Sequence, residues 1–303
     1  MTTNGSTQDI PPLSGRVRWA EGGGYFGAAL TAAAGLELVG QSWDSFDRSG
    51  HVALLGGIGL TLLVAGAVIG GVTIAGLRAV GHTGSSARRR LVSTLFTFAS
   101  VPVAAAVAVF MVGEHSGAAI AASGAGLAVA GIGYALVPSL LGQLVTWLGA
   151  YAVLSSVIDK TGSDDYHVQA VQGALAILVL GVVWAGLARV KVFAETYTAY
   201  GVGAASALNG AQTLLSDERT WSYALTALVA VACFAGFGAA RNWLVLATGM
   251  LATLLVVPEA LADWTGSDVG GAVGFLIVGV ATLAASSLGL GRRRHGPRYP
   301  VGV

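Results

Sequence analysis

Two glutamates, Glu37 and Glu259, stand inside or at the edge of otherwise apolar stretches. A carboxyl group so placed is costly unless it serves a pathway or a partner, so the pair is the candidate proton or cation site. Each also lies within about a turn of the end of its stretch, where an extended side chain can reach water. A second set lies on one helical face: Gln143, Trp147 and Tyr151 recur at four-residue steps, with Ser155 continuing the line. An amide, an indole and a phenol in a row could line a cavity for a polar or amphipathic ligand, and could equally hydrogen-bond to neighbouring helices. Gln172 with Gln169 beside it, Asn209 and Gln212 are candidates for the same polar cavity.

Other chemistries leave no trace. The chain has no glycine-rich phosphate loop ending in lysine, no histidine pair at metal spacing and no glycine-flanked nucleophilic serine. His51, His82, His115, His167 and His295 are scattered over helix ends and loops. Cys233 is the single cysteine and sits in an apolar run, as a small core residue would, so one chain holds neither a disulfide nor a cysteine metal site. No catalytic residue, cofactor or metal is expected. An enzyme acting on lipid-linked substrates would have to work with acids such as Asp44 and Asp47 alone. The net charge of +1 gives no case for nucleic acid.

The elements that must position these residues follow from composition. Of 303 residues 54% are apolar and 10% charged, too few charges to wet the surface of a soluble domain. Apolar runs near the ~20 residues needed to cross hydrocarbon recur throughout, continuous rather than alternating, which predicts an all-α polytopic membrane protein. Ten spans are expected: 23–40, 51–74, 91–113, 117–135, 139–158, 168–188, 197–215, 220–240, 243–261 and 269–290. The fourth ends at a break at Val137 and Pro138, and the seventh carries Asn209 and Gln212. Residues 1–22 form a polar cytoplasmic lead, 23–290 the transmembrane helical domain and 291–303 a basic cytoplasmic tail. The 45 glycines suit close helix packing, as at Gly66 and Gly70 or Gly270 and Gly274.

Lysine and arginine collect on the cytoplasmic side of short loops. With the N-terminus inside, the inner segments hold Arg16, Arg18, Arg78, Arg88, Arg89, Arg90, Arg189, Lys191, Arg241, Arg292, Arg293, Arg294 and Arg298, and the outer ones only Arg48, Lys160 and Arg219. A single missed or invented span would invert every later loop, so the distribution supports ten spans with both termini inside. The runs Arg88–Arg90 and Arg292–Arg298 fix topology and could also hold anionic lipid headgroups. Ten acids fall on the outer side, among them Asp44, Asp47, Asp159, Asp165 and Asp263.

Three outer hairpins echo one another. Trp43, Asp47 and Gly50 keep the spacing of Trp264, Asp268 and Gly271, and Thr161 to Asp164 repeats the residue types of Thr265 to Asp268. The copies share one orientation. Either an ancestral hairpin was duplicated, or the ordinary chemistry of helix ends produced the same pattern independently.

The stretch from Gly24 to Gly71, with Gln41, Ser42, Trp43 and Asp44 after its first helix, resembles an uncharacterised family of predicted bacterial multi-pass membrane proteins, in which a tryptophan and aspartate pair often follows the first helix. The resemblance covers about a sixth of the chain; it implies a bacterial plasma (inner) membrane location and no known activity. In architecture alone, ten helices in about 300 residues with a basic tail, the chain is similar to the drug/metabolite transporter superfamily. The expected function is a small-molecule or lipid transporter or flippase. The alternative is a structural or accessory subunit of a cell-envelope complex, its partner another membrane protein or a second copy of itself.

Overall fold

The computed structural model describes residues 37, 40–41, 43–83, 86–113, 117–162, 165–214, 219–267 and 269–280. All regular structure among them is helical: a 3-10 turn at Trp43–Ser45, then α1 (Arg48–Gly70), α2 (Ile74–Thr83), α3 (Ser86–Met111), α4 (Ala118–Leu136), α5 (Leu140–Thr161), α6 (Tyr166–Arg189), α7 (Thr196–Thr213), α8 (Arg219–Ala240), α9 (Trp243–Thr265) and α10 (Val269–Val280). The described residues hold seven helices long and apolar enough to cross a bilayer, α1, α3 to α6, α8 and α9, so the chain is a helical multi-pass membrane protein. The expected spans from 51–74 to 269–290 each meet a helix. Apart from Glu37 and Gly40, the span 23–40 lies outside the described residues, as do residues 281–290 of the last span, the lead 1–22 and the basic tail 291–303.

The chain divides into two compact units, residues 1–54 and 55–303. In the first, Asp47 caps α1: its carboxylate accepts from the Gly50 amide at 2.8 Å and from the Ser49 hydroxyl. Those bonds hold the Asp47 carboxyl below the usual carboxylate range, the Gly50 amide contributing most. His51 stacks on Trp43 with ring centroids 3.9 Å apart and donates from Nε2 to the Trp43 carbonyl.

In the second unit successive helices run antiparallel and meet along glycines. A Cβ on Gly126 would lie 3.1 Å from the Ala104 Cβ, fixing α4 on α3, and one on Gly149 would lie 3.1 Å from the Leu127 Cα, fixing α5 on α4. The tightest seam joins α6 and α7, where Gly181, Gly203 and Gly210 face bare backbone. Both glycine pairs singled out by spacing sit at close approaches, Gly66 against Phe96 and Gly70 against Val92, Gly270 against the Leu261 carbonyl and Gly274 against Pro258. Between helices in lipid this contact replaces the hydrophobic drive that water would supply.

Two departures from expectation have physical causes. The span 51–74 is cut at Gly71, whose φ of +101° ends α1, and the chain restarts as the short α2, hidden in sequence by Arg78 and His82. The other is α7. It is too polar to count among the seven crossing helices, yet it is the most enclosed element, with Ala199, Gly201, Gly203, Ala204, Ser206, Ala207, Leu208, Gly210 and Ala211 all buried. Packed on α6, α8 and α9, it meets protein rather than lipid and has no need of apolar residues all round. The break at Val137 and Pro138 separates α4 from α5 as expected, and Ser139 caps α5 by accepting from the Gly142 amide.

Antiparallel order sorts the connectors of this unit into two ends. One end holds Asp159, Asp165 and Asp263 with Lys160 and Arg219; the other holds Arg88, Arg89, Arg90, Arg189, Lys191 and Arg241 with Glu195. We call them the acidic and basic ends.

Candidate functional site

Near the acidic end, α7, α8 and α9 bring four polar side chains into an apolar bundle. Ser222 and Thr226, one turn apart on α8, are fully buried. The Ser222 hydroxyl is held by the Ala211 carbonyl at 2.9 Å, and Thr226 accepts from Gln212 Nε2 at 3.0 Å. Gln212 also lies near the Glu259 carboxyl group. One Glu259 oxygen, Oε2, is buried and meets no hydrogen-bond donor of the protein. The preceding residue, Pro258, lies inside α9 and has no amide hydrogen, so it leaves the Leu254 carbonyl without its helical donor. A carboxyl group with a buried, unpartnered oxygen inside a membrane-spanning helix is a candidate for proton exchange or for holding a small cation. At the acidic margin Arg219 pairs with Asp263 at 2.5 Å, tying α8 to α9.

Gln212, a cavity candidate, and Glu259, a proton or cation candidate, lie close to one another in the fold. The fold does not bring the cavity candidates into one place. Asn209, three residues before Gln212 on α7, is exposed while Gln212 is half-buried, and no hydrogen bond among the described residues joins it to the polar group. Gln172 is exposed on α6, close to Gly162. Glu37 belongs to the first unit, where Gln41 donates to it at 3.0 Å.

The face of α5 divides in two. Gln143 is completely buried with both amide atoms unpartnered in the protein, and the indole nitrogens of Trp147 and of Trp184 on α6 share that condition. Trp147 packs into a cluster of Tyr134, Trp184, Ala188, Phe193 and Ala199, where the Tyr134 hydroxyl accepts from the Ala194 amide at 2.9 Å. Further along, Tyr151 stacks on Trp147 and opens, with Ser155, Asp159 and Gln169, onto a cleft of about 220 Å³ between α5 and α6. Gln169 donates to Asp159 there at 3.3 Å. The cleft is smaller than the ~300 Å³ at which pockets for drug-sized ligands begin.

Ser222, Thr226 and Trp184 were missed from sequence. The first two stand four residues apart, the same one-face spacing that singled out Gln143, Trp147 and Tyr151. Among the described residues no three His, Cys, Asp or Glu side chains gather as a metal would require. No protein-family model matches the chain, and no curated protein or solved structure is similar enough to count as a match.

Proposed function

We propose that the protein is a ten-helix transporter or flippase of the bacterial inner membrane, moving a small molecule or lipid, with Glu259 as the group that couples movement to a proton or cation. The observation that carries this reading is the buried, unpartnered oxygen of Glu259 inside a crossing helix, near Gln212. Ionisable groups within membrane-spanning helices tend to mark ion and proton pathways. The crowding of arginine and lysine at the basic end supports a cytoplasmic location for that end, and hence both termini inside.

The chemistry is exchange at one carboxyl group. Protonated, Glu259 is neutral and tolerable in the bundle; ionised, it needs a cation or the amide of Gln212, and switching between the two states biases how α7, α8 and α9 pack. Dicyclohexylcarbodiimide, which modifies carboxyl groups that take up protons in apolar surroundings, is expected to label Glu259 and to leave Glu259→Gln unlabelled at that position. Uptake of labelled amphiphiles into proteoliposomes under a pH gradient is expected to stop in the same variant. Undiminished pH-driven uptake by Glu259→Gln would remove the coupling role. A detergent-stable envelope partner, with no uptake by the wild type, would transfer the reading to an accessory subunit.

A further inference from the structure

At the basic end, far along the helices from Glu259, Arg189, Lys191, Phe193, Thr196, Tyr200 and Gly236 line a recess of about 640 Å³ between the α6–α7 connector and α8. That volume falls within the range of small-molecule sites. The two cations are exposed and Phe193 is buried; Glu195, exposed between the lining residues Ala194 and Thr196, is the acid of this connector but does not itself line the recess.

The recess is built rather than incidental. Its connector is pinned by hydrogen bonds from the Lys191 amide to the Ala188 carbonyl at 3.0 Å, from Val192 to Leu187 at 3.1 Å and from Ala194 to the Tyr134 hydroxyl. Lys191 and Arg241 are the non-glycine residues with positive φ among those described, +58° and +48°. Glycine takes this helix-ending conformation with less strain, yet both positions carry a cation. Attraction to the carbonyl end of a helix accounts for a cation at each. It does not account for a recess beside one of them. Arg241 sits next to Asn242, whose side chain donates to the Tyr197 carbonyl at 2.7 Å, so a third cation stands near the start of α7. Exposed Val190, Val192, Tyr197 and Trp243 surround these charges, the mixture found at the level of lipid headgroups.

We propose that this recess binds the phosphate of an anionic amphiphile, with Arg189 and Lys191 on the phosphate and Phe193 and Tyr200 against the carbons next to it. The site is separate from the Arg88–Arg90 run, and it requires only that the chain sit in a bilayer, so it stands or falls independently of transport. The full-length protein in a neutral detergent would be titrated with dioleoyl phosphatidylglycerol or dioleoyl phosphatidylcholine and the bound lipid counted by native mass spectrometry. The expected result is retention of phosphatidylglycerol over phosphatidylcholine. Arg189→Gln with Lys191→Gln should weaken the tightest-bound phosphatidylglycerol about 30-fold, about fivefold for each charge lost near an anionic surface. Arg189→Lys with Lys191→Arg should keep it, and an unchanged lipid-free melting temperature in both variants separates loss of the site from loss of the fold. Full competition by millimolar inorganic phosphate identifies the phosphate group alone as sufficient; absence of competition identifies the lipid. Equal binding of the two lipids, or phosphatidylglycerol binding by the glutamine variant at wild-type strength, overturns the proposal.

Discussion

Gly181 and Gly203 meet backbone to backbone: a Cβ on Gly203 would lie 2.7 Å from the Gly181 carbonyl oxygen. Backbone cannot retreat as a side-chain tip can, so Gly203→Ala must push α6 and α7 apart, at a cost of about 1–3 kcal/mol as for other overpacked interiors. Gly186→Ala, on the same α6 but with nothing within 4 Å, is the matched control and should be neutral or slightly stabilising. Thermal unfolding in detergent distinguishes the two; equal melting temperatures would contradict the seam.

The buried amide of Gln143 has no partner in the protein for either atom. Removing such a group relieves a desolvation penalty on the order of 1 kcal/mol, so Gln143→Leu is expected to raise the melting temperature. A lower one would mean that the amide is bonded in the working protein.

Tyr134 on α4 holds the connector between α6 and α7 through the Ala194 amide. Tyr134→Phe leaves that amide without its acceptor, a loss of about 1 kcal/mol. Hydrogen exchange at the Ala194 amide should speed up while exchange in the middle of α3 stays unchanged.

Asp47 supplies a pH dependence of defined sign. Its folded pKa is depressed by the Gly50 amide and Ser49 hydroxyl, so its contribution to the start of α1 is complete above the unfolded value of about 4 and is lost as pH falls through the folded value. Protection of the Gly50 amide against exchange should therefore drop on acidification below that range. In Asp47→Asn the same amide should exchange without that acid transition.

Much of the fold is legible from sequence because a bilayer imposes one rule on each crossing, and the spans from 51–74 onward each meet a helix for that reason. Thr196–Thr213 satisfies the rule least and is the most enclosed, because its glycines, alanines and Ser206 pack closely on other helices; hydropathy reads what a helix is made of, not which neighbours shield it. The site was legible only in pieces. Gln212 and Glu259 are conspicuous as isolated polar residues, but their meeting depends on how α7 packs on α9, which spacing within one helix cannot encode. The hairpin echo also divides on inspection. Thr161 and Thr265 each donate to the carbonyl four residues back, while Gly162 is extended and Gly266 left-handed with φ +62°, so shared residue types end their helices with different backbones.

Where Gly181, Gly203 and Gly210 press α6 onto α7, no acyl chain fits between the two rods. Lipid that would line each helix separately is expelled when they join, and its regained freedom favours the union. The two crossings thus behave as one thick post: severing the connector at 190–195 would leave the halves clasped, because what holds them is the zipped backbone and not the strand of chain that links them.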